Sequence, residues 1–197
     1  TSLYVSRNVG FSDATAAGAV DRYAVTTAGG VLTVNPTPVT VASGLNQPTG
    51  LRFNGTDLYI SEFGDIYGGG GNFGTVRSLD TTTAGPPSTL VPVFGGGLAG
   101  PGGTAVGPDG NLYVADLLAG AIRKYRLNAD GTTTPLGDFA NNQFTQNQFP
   151  SDLLFDGNGH LLVANLGPDF GQNNGNVTRF TYTTAPDGSF VFAGGEV

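Results

Sequence analysis

The sequence predicts an all-β chain built from four-stranded antiparallel sheets, and three observations predict it. The 197 residues include 33 glycines and 12 prolines, which cut the chain into short segments and disfavour long helices. Between those turn residues lie short β-branched and aromatic runs, the mark of strands. Those runs recur in a fixed order with a period near 50 residues, which marks a repeat architecture.

The most regular element reads "LYVSR" (3–7), "LYISE" (58–62), "LYVAD" (112–116) and "LLVAN" (161–165), spaced 55, 54 and 49 residues apart. Three copies are preceded by "QPTGLRFNGTD" (47–57), "GPGGTAVGPDGN" (100–111) and "FPSDLLFDGNGH" (149–160). All four are followed by "GAVDRYAV" (18–25), "GTVRSLD" (74–80), "GAIRKYRL" (120–127) and "GNVTRFTY" (175–182). A looser fourth element follows at 38–43, 88–94, 135–140 and 189–195. "NGTD", "PDGN" and "DGNG" supply residues that tolerate positive φ in hairpin turns.

Residues 114–127, "VADLLAGAIRKYRL", contain good helix formers. They align, however, with "ISEFGDIYGGGGNFGTVRSL", and no helix survives a four-glycine insertion. The repeat therefore predicts two strands joined through Gly120.

Four strands per repeat is the unit of a β-propeller blade. The predicted blades span approximately 1–43, 44–94, 95–144 and 145–197, read as one propeller domain. Leu3 already belongs to a second strand, so the first blade lacks its innermost strand and fifteen strands are expected. About four blades are visible, and the ring is expected to be part of a larger propeller or to be completed between chains.

Composition narrows the partners. Fifteen acidic residues against eight basic ones give a net charge of −7 and a pI near 4.3. Nucleic acids and anionic membranes need basic surfaces, so neither is an expected partner. No apolar run reaches the length of a membrane-spanning helix, and no membrane insertion is expected. Without cysteine there is no disulfide, thiolate metal site or thiol nucleophile. Few charges, a single lysine and abundant Gly, Thr and Asn suggest a secreted or cell-surface bacterial protein, with the initiator and any leader outside these residues.

The "P-x-G…DGNLYVAD…G-x-I-R-K" cadence, clearest at 101–125, resembles the NHL-repeat propellers and their relatives, the streptogramin lyases and the gluconolactonase/regucalcin type. The resemblance spans nearly the whole chain and implies the fold, which usually has six or seven blades. It says little of function, because such blades carry enzymes and inert scaffolds alike.

In such a blade, the loops entering the first strand and those joining the second to the third share one face, called here the entry face. Asp152 falls there, where two other blades carry Gly50 and Gly103. So do the second-strand ends Arg7, Glu62, Asp116 and Asn165. The gluconolactonase resemblance implies a divalent cation held by Glu, Asn and Asp side chains. "PSD" (150–152) partly matches one ligand entry, so Asp152 is the residue the resemblance assigns to metal; the family's glutamate has no clear counterpart. Glu62, Asp116 and Asn165 share its face and offer hard oxygens suited to Ca²⁺. The alternative reading is that such strand ends hydrogen-bond loop backbones.

The entry-face loops 8–18, 63–74 and 166–175 pair acids with aromatics. Phe11, Asp65, Tyr67, Phe73, Asp169 and Phe170 are the expected contacts for a protein or glycan partner, or for a second copy. The strand aromatics Phe53, Tyr59, Tyr113, Tyr125, Phe155 and Phe180 read as inter-blade core. The basic stretch 123–126 reads as a solvated outer strand. His160, the only histidine, falls in a turn on the opposite face, so no Ser-His-Asp arrangement can form.

The expected function is therefore a non-catalytic binding or structural module that uses its entry-face loops. The alternatives are a metal-dependent hydrolase or lyase of the gluconolactonase or streptogramin-lyase type, and a self-assembling protein whose blades are completed between chains.

Overall fold

The structure, a computed structural model, describes residues 1–8, 18–64, 74–83, 88–91, 97–141, 149–168 and 174–196. Among them there is no helix, and sixteen strands form four antiparallel sheets. The first blade holds β1 (Ser2–Arg7), β2 (Gly18–Ala28), β3 (Val31–Val34) and β4 (Val39–Leu45). The second holds β5 (Pro48–Asn54), β6 (Asp57–Glu62), β7 (Thr75–Asp80) and β8 (Ser88–Val91) in that spatial order. The third runs β9 (Pro101–Val106), β10 (Asn111–Asp116), β11 (Ala121–Leu127) and β12 (Thr133–Ala140). The fourth runs β13 (Pro150–Phe155), β14 (His160–Asn165), β15 (Asn176–Thr184) and β16 (Phe190–Glu196). This is a partial β-propeller, with each chain segment meandering outward through its own blade.

In the first blade, β1 and β4 flank β2, so the innermost strand is missing as the repeat predicts. The sixteenth strand is the addition. β3 folds back on the outer half of β2 through Gly29 and Gly30, at φ 59° and 80°. Two consecutive positive-φ glycines make a tight hairpin turn that matches strand twist. The repeat had no counterpart for this excursion, which is why it escaped alignment.

Strand alternation sorts the core into three inter-blade layers. Val20, Ala42 and Leu45 of the first blade meet Leu58, Ile60 and Leu79 of the second. Tyr59, Val76 and Leu98 meet Leu112, Val114 and Tyr125. Tyr113, Ile122 and Phe139 meet Leu161, Val163 and Phe180. Each fully buried side chain of this kind contributes about 1.5–3 kcal/mol, so these layers hold neighbouring blades together. Phe53 departs from the expected core role: it is exposed and meets Tyr4 edge-on, with ring centroids 5.2 Å apart.

The inner strands lie side by side, β9 between β5 and β13. Glycine permits that approach. A Cβ on Gly50 would stand 2.5 Å from Gly102 O, and one on Gly102 would overlap Ser151 O. A second contact recurs at the blade joints. Gly18 receives the ring of Pro48, and Gly74 receives that of Pro101.

The basic stretch 123–126 is not simply solvated. Lys124 is buried; its Nζ donates to Phe190 O at 2.8 Å and stands 3.1 Å from Asp109 Oδ2. Asp109 Oδ2 also accepts from Phe190 N at 3.1 Å and Tyr113 OH at 2.9 Å. The single lysine thus bolts the third blade to the fourth. Burial works to raise the Asp109 pKa, but hydrogen bonds from Asn111, Lys124 and Tyr113 prevail and hold it below the ordinary value.

Candidate functional site

Three of the four candidate ligands end second strands, and the structure gives each a partner set. Glu62 Oε1 accepts from Asn46 N at 2.7 Å, and Oε2 from Arg77 Nε at 2.6 Å. Asp116 repeats this: Oδ1 accepts from Ala99 N at 2.7 Å, and Oδ2 from Arg123 Nε at 3.1 Å. Arg123 also donates to Asp138 at 2.6 Å. Asn46 and Ala99 each stand two residues before the proline that opens an inner strand. The buried carboxylate therefore fixes the entry loop of its own blade. Burial pushes the Asp116 pKa up, while Arg123 and the Ala99 amide work against that rise.

The fourth blade has a neutral version. Asn165 Nδ2 is shared among Thr178 Oγ1 (2.9 Å), Asn176 Oδ1 (2.9 Å) and Val163 O (3.3 Å). The first blade inverts the charges, with Arg7 Nε donating to Asp21 Oδ2 at 3.1 Å. Asp21, Arg77, Arg123 and Thr178 occupy one register position, opposite Val5, Ile60, Val114 and Val163. The pairs Arg7/Asp21, Glu62/Arg77, Asp116/Arg123 and Asn165/Thr178 are thus one clasp in four chemistries. Sequence reasoning noted the strand ends but missed their partners. The compensating charge swap between the first repeat and the next two was the signal.

Asp152 stands apart. Its side chain is 60% exposed, and Oδ1 accepts from Leu153 N at 2.9 Å and from Arg52 Nη2 at 3.3 Å. Arg52 reaches it from two blades away, anchored by Nε to Thr104 O and by Nη2 to Leu153 O, both at 3.0 Å. The small residues Gly103 and Ala105 of the intervening inner strand leave room for this crossing. A Cβ on Gly103 would overlap Asp152 Oδ1. A hollow of about 390 Å³ adjoins Arg52, lined also by Phe53, Ala105, Leu154 and Phe155. Arg52 was not foreseen, because nothing in a linear pattern shows a side chain spanning three inner strands.

As arranged, Glu62, Asp116, Asn165 and Asp152 do not fit one divalent cation. The first two carboxylates are each taken by an arginine and a loop amide, and Asp152 faces Arg52. Among the described residues no group of three or more His, Asp or Glu side chains is placed to hold a metal. Phe11, Asp65, Tyr67, Phe73, Asp169 and Phe170 lie outside the described residues. His160 Nδ1 is 2.8 Å from Asp156 Oδ2, at the hairpin end of β14 away from Asp152.

No protein-family model and no curated protein matches the chain. Solved propeller structures do. A protein from Lactobacillus plantarum superposes with a TM-score of 0.65 at 15% identity, over 100% of this chain and 52% of that one. A protein proposed to be a 6-phosphogluconolactonase from Bacteroides uniformis gives 0.58 at 18%, over 98% and 53%. A periplasmic gluconolactonase from Pseudomonas aeruginosa gives 0.56 at 11%, over 99% and 68%. The chain therefore has the propeller fold found among lactonases and spans about half the length of the first two. Among the described residues no helix is long and apolar enough to cross a membrane, which leaves strand-built spans aside.

Proposed function

We propose that the chain belongs to a hydrolase acting on small cyclic esters, with Asp152 and Arg52 at the centre of its site. The observation that carries this reading is their pairing. Of the three candidate carboxylates, Asp152 is the one left exposed, and it meets an arginine held by two backbone carbonyls. The lactonases that share the fold support the reading.

A fixed guanidinium donates to the carbonyl oxygen of a lactone and stabilises the negative charge that develops there. The Asp152 carboxylate takes a proton from the attacking water. The new C–O bond forms as the ring C–O bond breaks, and that proton passes to the leaving alkoxide. Lactone and water give a hydroxy acid. A secreted or periplasmic location suits this reading and the sparse lysines.

The test is hydrolysis of a panel of sugar and aliphatic lactones by the purified protein, with and without added divalent cations. Turnover by the native protein should fall about 10²-fold or more in Asp152→Asn and Arg52→Ala, with strand circular dichroism unchanged. Absence of turnover under all these conditions rejects the reading.

A binding-module reading keeps one specific support: Glu62 and Asp116 are spent on holding entry loops and Asn165 on bonds to β15, leaving loop side chains for recognition. Shortening 65–73 and 168–174 would then abolish partner capture without unfolding the chain.

A further inference from the structure

We propose that the groove at the rim between the third and fourth blades binds a small zwitterion with an apolar side chain, a free amino acid or a dipeptide. The proposal is independent of the catalytic reading. The groove belongs to an interior joint: both blades have four strands, and the core layer of Tyr113, Ile122, Val163 and Phe180 joins them.

The cavity measures about 810 Å³, within the range of small-molecule sites. Lys124, Arg126 and Leu136 line it from the third blade, and Asp187, Val191 and Phe192 from the fourth. Its floor is fixed by contacts that cross the joint or brace its fourth-blade side. Phe192 meets Phe139 edge-on with ring centroids 6.2 Å apart, and Phe190 stacks on Tyr182 at 4.1 Å. The Lys124 ammonium donates across the joint to Phe190 O at 2.8 Å. A groove held in this way loses little freedom when a ligand enters, which favours binding.

Charge selects the ligand. Two acids of the lining are already matched, Asp138 by Arg123 at 2.6 Å and Asp109 by Lys124 at 3.1 Å. Arg126 and Asp187 are not. Arg126 is exposed and has no acceptor among the described residues. Asp187 Oδ1 accepts from the amide and hydroxyl of Ser189, at 3.0 and 2.7 Å, while Oδ2 has no donor among the described residues. The Ser189 donors, with Lys124 nearby, hold the Asp187 carboxyl below its ordinary value, so it is an anion at neutral pH. The groove therefore offers one unmatched charge of each sign. A simple anion is repelled by Asp187 and a simple cation by Arg126, whereas a zwitterion satisfies both. Lys124 and Arg126 stand two residues apart on β11 and share its face. Phe190 O and Asp109 take two of the three Lys124 protons, so a carboxylate at Arg126 has a second donor within the same groove. Leu136 and Val191, 39% and 50% exposed, offer the apolar seat from opposite walls.

Ligand-detected NMR titration of the 197-residue chain tests this. The probes are leucine, phenylalanine and dileucine, beside leucinamide, which lacks the carboxylate, and N-acetylleucine, which lacks the ammonium. The zwitterions should bind, and each blocked form should bind about tenfold more weakly. Two variants assign the charges. Arg126→Gln should abolish the preference for leucine over leucinamide, and Asp187→Asn the preference for leucine over N-acetylleucine. Both side chains are exposed, so both variants should fold, which circular dichroism checks. Three results overturn the proposal: no binding of any zwitterion at millimolar concentration, blocked forms that bind as well as leucine, or preferences that survive in both variants.

Discussion

Glu62 is buried between Arg77 and the amide of Asn46, and the cost of that burial depends on both partners. A carboxylate deprived of its partner inside a protein loses several kcal/mol, while an exposed pair is worth little. The four clasps span these limits. Arg77→Ala leaves Glu62 charged and buried and should cost about 2–4 kcal/mol. Arg7→Ala removes a half-exposed arginine while Asp21 keeps the Thr40 hydroxyl at 2.7 Å, and should cost less than about 1 kcal/mol. Chemical denaturation of the two variants reads the difference, and equal losses would mean that the clasps are not graded by burial. At this scale the sequence disclosed which positions are polar and on which face. It did not disclose Arg52, since its contacts cross 52 and 100 residues of chain.

Between residues and the whole lie the joints, where β-strand, turn and proline meet. A proline opens each inner strand, and the residue before it holds a positive φ: Gln47 at 53°, Gly100 at 101° and Phe149 at 52°. That turn delivers Pro48 onto Gly18 and Pro101 onto Gly74. Gly18 and Gly74 are therefore required by contact, whereas a turn glycine such as Gly55 is required by backbone angle, and two substitutions separate these causes. A Cβ on Gly74 would overlap Pro101 and lie 2.8 Å from Glu62 O, so Gly74→Ala should cost about 3 kcal/mol or leave the protein insoluble. Gly55, at φ 62°, has nothing within 4 Å of a Cβ, so Gly55→Ala should cost only about 1 kcal/mol of backbone strain. Thermal melts of both variants decide it; a mild effect at Gly74 would show that the blades can move apart. These elements were legible because each strand is bracketed by turn residues at repeating positions. β3 and buried Lys124 were not, because one has no counterpart in the repeat and the other depends on a carbonyl 66 residues away.

For the whole molecule, the repeat was the readable feature, since blades stack only through faces that recur in sequence. The loop residues singled out for binding pair acids with aromatics in three blades, but no pattern in the chain says what they meet. Acid stability is a property of the whole that follows from the same hydrogen bonds. Asp21 is held below the ordinary aspartate value of 3.8 by the Thr40 hydroxyl and by Arg7. Asp109 is held there by its donors against burial, and the turn aspartates Asp80, Asp130, Asp156 and Asp187 chiefly by nearby Thr, Ser or backbone donors. Each depressed carboxylate lends stability that is complete above its unfolded value and lost as pH falls through its folded one. Asp116 runs the other way, because burial raises its pKa and protonation relieves that cost. Six groups outweigh one, so the melting temperature should be flat from neutrality to about pH 5 and fall steeply below about pH 4. Asp116→Asn should flatten none of that acid limb, whereas Asp109→Asn should flatten part of it while lowering stability at neutral pH. Circular dichroism melts between acid and neutral pH measure both, and an acid limb unchanged in Asp109→Asn would mean that the Lys124 bolt is not where the fold yields to acid.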